Sequence, residues 1–195
     1  MQKSSNSYLN TKFVNRLLLL SSVFVVPVLT IVLGSKTNIL TSNFTYLANQ
    51  SETQLLFLVW VSISIITHML LFFIMYKQFQ IPTSSVLFTL IIMFISALIP
   101  YEKGVSLTGF FHVAFAYLAF ILYNYSLYKI YILAYTHHPK YCQCLLNLYL
   151  LMLGICFSIT MYYGSINGLV EIIYCVCTPI LLYLLKLKVA KATKI

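Results

Sequence analysis

Few residues in this sequence could move a proton or hold a ligand. Glu52, Glu102 and Glu171 are its only acids, and there is no Asp. Di-metal carboxylate sites and aspartyl dyads therefore have no donor set. The histidines are His68, His112, His137 and His138. Glu102, His112 and Glu171, with Tyr101 beside them, are the set that could act together. A His between carboxylates can bind a lipid headgroup, take up protons or serve as an acid/base pair. It can equally be a hydrogen-bond clamp between helices. Metal ligation is not expected, because no tight pattern such as His-Glu-x-x-His occurs. No cofactor is expected either: there is no P-loop and no dinucleotide fingerprint.

The elements that must position these residues follow from composition. Of 195 residues, 61% are hydrophobic and 8% charged, against about a quarter charged in soluble domains. A fold of this length in water could not bury so much apolar side chain. The expected class is all-α, a single six-helix transmembrane domain over 1–195. Its spans are expected at about 17–33, 54–75, 85–99, 109–131, 144–163 and 168–185, since roughly 20 apolar residues cross the hydrocarbon layer. The third run is short and needs its flanks. No run reads as a cleaved signal peptide.

Six spans would sort the cations sharply. Lys3, Lys12, Arg16, Lys77, Lys129, Lys140, Lys186, Lys188, Lys191 and Lys194 fall on one side, and Lys36 and Lys103 on the other. The positive-inside rule then makes both termini cytoplasmic. The formal charge of +9 is scattered along the chain, so membrane orientation explains it and nucleic acid is not an expected partner. Membrane lipids are expected partners, with other membrane proteins as a further class.

Within this topology all three glutamates lie toward the outer side. His112 sits about 5 Å below the outer rim and His68 about 20 Å, at 1.5 Å per residue. The two cannot share a haem iron. Tyr162, Tyr163 and Asn167 could join the rim. Tyr117, Asn124, Tyr128, Tyr131 and Tyr135 recur at helical spacing on the fourth span. They read either as the lining of a lipid groove or as an aromatic packing seam. Glu52 closes the outer loop. That loop carries two sequons, at Asn43 and Asn49, as candidate glycosylation acceptors. Pro27 and Pro179 should kink the first and last spans. Cys142 and Cys144 lie next to the membrane, where S-palmitoylation occurs. His137 and His138 nearby do not complete a peptidase, since nothing supplies an oxyanion hole.

Collinear features add a resemblance. The stretch YLANQSETQLLF, 46–57, is similar to an outer-loop pattern Tyr-Ile-Ser-x-x-Gly-x-x-x-Pro-Glu-x-x-Leu-Phe, with Glu52 and Phe57 at matching positions. MYKQF, 75–79, resembles the basic loop that follows the second span. His112, Ala114 and Ala116 fit the opening of the fourth span, and Glu171 fits a Glu near the start of the last. These are features of the DRAM-like family, the damage-regulated autophagy modulators. The loop Gly and Pro are missing here, Ile172 stands where the family has Trp, and Pro100-Tyr101 replaces Asn-Phe. The resemblance implies six helices with both ends cytosolic, and an endolysosomal or plasma membrane (the cell membrane for a bacterial relative). It also implies links to autophagy or lipid organisation, and no established catalytic residues.

Three functions follow as expectations. The first is a non-enzymatic protein that binds or organises lipid or regulates partners. The second is a small transporter or lipid conduit built on the outer Glu/His cluster. The third is a lipid-modifying enzyme.

Overall fold

A computed structural model describes residues 4–82, 84–99 and 106–193. Every regular element among them is helical: α1 (Ser4–Leu20), a π segment (Ser21–Val25), α2 (Val26–Gly34), α3 (Phe44–Ala48), α4 (Gln54–Gln78), α5 (Ser84–Leu98), α6 (Leu107–His137), α7 (Pro139–Tyr163) and α8 (Gly168–Ala192). Among the described residues five helical stretches are long and apolar enough to cross a membrane: Lys12–Gly34, Gln54–Gln78, Leu107–His137, Pro139–Tyr163 and Gly168–Ala192. The chain is a multi-pass integral membrane protein. α5 is different. Its apolar part, Val86–Leu98, rises about 20 Å as a helix, short of the ~30 Å hydrocarbon core.

α1, the π segment and α2 run on as one helix with Pro27 at the start of α2. A proline ring collides with the carbonyl four residues earlier. The chain answers by widening the preceding turn: Val26 N–H bonds Ser21 O, five residues back, the signature of a π-bulge. In α8, Pro179 interrupts the ladder, and the Thr178 hydroxyl bonds the Tyr174 carbonyl at 2.8 Å.

α7 begins at Pro139, five residues before the expected 144. Proline at the first helical position gives up only an N–H that would have no intrahelical partner. Cys142 and Cys144 are therefore helical rather than in a loop. α7 ends at Gly164 in the left-handed conformation, φ 72°, where a side chain would be strained. α6 runs past the expected 131 to His137 and is started by Ser106, whose hydroxyl accepts from Gly109 N–H at 3.0 Å.

α8 is the most enclosed span, with 44% of its most apolar window buried against 22% for α6. Its residues Leu181, Leu182, Leu185 and Val189 join one core with α4, α6 and α7. A second, smaller core of Leu33, Phe44, Leu47, Phe57, Trp60 and Val61 closes the end where α2 stops and α4 starts. Outward faces carry large apolar side chains such as Phe24, Ile31, Phe88, Ile121 and Phe157, as a lipid solvent requires. At the other end of the bundle Lys186 Nζ donates to Asn15 Oδ1, joining α8 to α1. There too Phe79 stacks on His137, rings 5.8 Å apart.

Candidate functional site

Glu171 and Asn167 meet the loop after α2 at the start of α8. A helix begins with four N–H groups that have no partner inside it. In α8 three of them have one. Gly168 N–H donates to Ser42 O at 2.6 Å and Leu169 N–H to Ile39 O at 2.9 Å. Val170 N–H donates to the Asn167 side chain at 3.2 Å. The helical ladder itself starts at Glu171, whose N–H donates to Asn167 O at 3.1 Å. Asn167, 2% exposed, also donates through Nδ2 to Leu40 O at 3.3 Å. The loop backbone is thus fastened to the end of a central helix.

Gly168 suits this contact. A Cβ there would lie 3.2 Å from both Ile39 Cα and Ser42 O, so the loop backbone would have to give by a few tenths of an ångström.

Glu171 completes the junction from the other direction. Its Oε2 accepts from Phe44 N–H at 2.5 Å, the first amide of α3. Asn43 caps the same helix, accepting from Tyr46 N–H at 3.2 Å. The carboxyl group lies beside two helix N-termini, where negative charge is favoured. Phe44 in turn meets the Trp60 ring edge-on at 5.1 Å. Trp60 Nε1 donates to Thr30 Oγ1 at 2.8 Å, and Thr30 donates to Val26 O at 2.8 Å. One connected path therefore links α8, α3, α4 and α2.

The other expected residues are distributed. His112, buried, is bonded through Nδ1 to Ile99 O at 2.7 Å, at the end of α5. A carbonyl only accepts, so Nδ1 carries the proton. Glu171 and His112 are thus held by different elements, the first by α3 and the second by α5. A shallow recess of about 370 Å3 lies beside His112, lined by Ile99, Leu107, Thr108, Phe111 and Phe115. Tyr101 and Glu102 lie outside the described residues. Glu52 is exposed in the turn before α4. Asn43 is engaged as the α3 cap, whereas Asn49 is exposed. Tyr162 and Tyr163 point outward, 82% and 43% exposed.

The stripe on α6 divides. Tyr117 and Tyr128 are exposed, while Tyr131 is buried and stacks on Tyr149 with rings 4.6 Å apart. Asn124 is a junction: its Oδ1 accepts from Tyr149 at 3.2 Å and from Tyr174 at 2.8 Å. Its Nδ2 bonds Phe120 O at 2.9 Å. One side chain thereby ties α6 to α7 and α8. The seam reading fits these contacts better than the groove.

Sequence reasoning missed the loop carbonyls of Ile39, Leu40 and Ser42, which any residue type would supply. It also missed the Trp60–Thr30 bond and the two tyrosines on Asn124. Asn167 before Gly168 did carry a signal, since Asn is a preferred helix cap. No protein-family model, no curated protein and no solved structure matches the chain.

Proposed function

We propose that this chain is a non-enzymatic six-span membrane protein that binds or organises lipid, or regulates partner membrane proteins. The observation that carries the reading is how the buried and half-buried polar side chains at the helix contacts are used. Glu171, Asn167, Asn124, Trp60 and His112 each bond another segment of the same chain. Such side chains hold a bundle together, and what remains for function is the outward surface. An enzyme would need acid and base groups within reach of one substrate. Glu171 and His112 have separate partners instead.

Six crossings with both termini cytoplasmic fit the charge sorting of the loops. They also fit the Lys186–Asn15 contact, which brings the start of the first apolar span and the end part of α8 to one end of the bundle, as an even number of passes requires. α5 would then cross with the help of its flanks. The DRAM-like resemblance adds an endolysosomal or plasma membrane and a link to autophagy. A lipid conduit is the alternative, resting on Glu171, His112 and the α6 tyrosines.

The test is thermal stability in detergent, with and without a lipid panel, for the wild type, His112→Ala, Glu171→Ala and the double variant. Expected is that one lipid class raises the unfolding midpoint of all four proteins by a similar increment. Turnover of a lipid, or no stabilisation by any class, would overturn the reading.

A further inference from the structure

The start of α7 carries a surface that the junctions above do not use. Lys140, Gln143, Cys144, Asn147, Leu148 and Leu151 line a shallow, open groove of about 400 Å3. Their spacing alternates three and one, which is a single stripe along a helix. All six side chains are exposed. The intervening Cys142, Leu145, Leu146 and Tyr149 are buried, so α7 packs through its other face.

The stripe changes chemistry in one direction. It opens with an ammonium group, passes two carboxamides and ends in two leucines. From Lys140 to Leu151 the helix rises ~16 Å, about half the ~30 Å hydrocarbon thickness. Asn147 lies ~10 Å along that path. An amide facing hydrocarbon is costly unless an acceptor reaches it. The order of groups and their depths match one leaflet of a glycerophospholipid: phosphate, ester carbonyls, acyl chain.

We propose that this groove binds an anionic glycerophospholipid. The phosphate meets Lys140, the ester carbonyls accept from Gln143 and Asn147, and one chain lies along Leu148 and Leu151. The site rests on the lipid-binding reading above and gives it a place and a headgroup class. Charge selects the anion: Lys140 heads the stripe, and none of the chain's three acids lies on α7.

The test uses the full chain in dodecyl maltoside, with palmitoyl-oleoyl phosphatidylglycerol or phosphatidylcholine added. Retained lipid is counted by native mass spectrometry. The wild type should retain the glycerol lipid in preference. Lys140→Glu should lower that retention at least about fivefold, the factor one lysine near an anionic surface contributes. Lys77→Glu is the charge-matched control: Lys77 is exposed on the end of α4 where Phe79 stacks on His137, and its change should leave retention near wild type. Asn147→Leu should lower retention of both lipids, although it makes the stripe more apolar.

Equal losses from Lys140→Glu and Lys77→Glu would overturn the site in favour of diffuse charge, with lipid binding intact. An acyl mass on Cys144 of the purified protein would also overturn it, since a thioester-linked chain would then fill the groove. Retention of neither lipid by the wild type would remove the site and the lipid-binding reading together.

Discussion

Two regions of the bundle treat their polar groups in opposite ways. At the junction of the loop after α2 with α8, the amides of Gly168, Leu169 and Val170 are all bonded, and Glu171 and Asn167 each reach a second segment. Between α4 and α6 the groups are left over. His68 Nδ1 bonds Ser64 O at 2.7 Å, so its Nε2 is a bare acceptor. Among the described residues Nε2 has no hydrogen-bond partner, and neither do the hydroxyls of Tyr123 on α6 and Ser64 on α4. The His68 and Tyr123 rings nevertheless touch edge-on at 5.5 Å, packing as shapes rather than as a bonded pair. The first region is fastened by polarity and the second by shape. Polar substitutions should therefore be costly in one and cheap in the other.

The largest effect is expected where the junction has no slack. Gly168→Val forces carbon against the Ile39 and Ser42 backbone, and overpacking of this kind costs about 3 kcal/mol. Thermal unfolding in detergent should show a clear fall in midpoint. Next in size is Glu171→Ala, which leaves the Phe44 amide without its acceptor and should cost about 2 kcal/mol. Combined with His112→Ala, the losses should add, because the two residues have separate partners. A double variant no worse than one single variant would instead place them in one clamp.

A smaller effect is expected inside the bundle. Asn124→Leu removes the acceptor of two tyrosines. Hydrogen bonds between membrane helices contribute modestly, so the cost should be about 1 kcal/mol. The smallest is Tyr123→Phe. It deletes a hydroxyl that makes no close hydrogen bond, with the Thr178 side chain as a polar neighbour, and keeps the ring contacts with His68 and Phe72. Stability should stay within about 0.5 kcal/mol of wild type, or rise. A loss as large as that of Asn124→Leu would erase the contrast between the regions.

Much of this arrangement was legible in the sequence. Hydropathy located the long helices, and the prolines marked the irregular turn before α2 and the break in α8. Glu171 stood out because a carboxyl group near a membrane needs a partner, and it has one. The identity of that partner was not legible. Phe44 N–H lies 127 residues away, and a backbone amide leaves no trace in residue type. His112 was placed near the rim by counting residues, but its partner is the Ile99 carbonyl, equally silent in sequence. The α6 tyrosines share a helical period, yet period alone cannot say which of them meets a neighbour. Tyr131 does and Tyr128 does not, because α7 and α8 pack against only part of that face. α5 shows the opposite limit: its apolar run was visible, but its helix falls short of a full crossing by length.

The most direct test of the claim that Glu171 is a fastening rather than a ligand site is hydrogen–deuterium exchange on wild type and Glu171→Ala. It would be run in detergent alongside a count of retained lipid. Expected is faster exchange across residues 39–50, led by the Phe44 amide, with lipid retention unchanged. Unchanged exchange, together with the disappearance of one retained lipid class, would contradict the claim and make the junction a binding site.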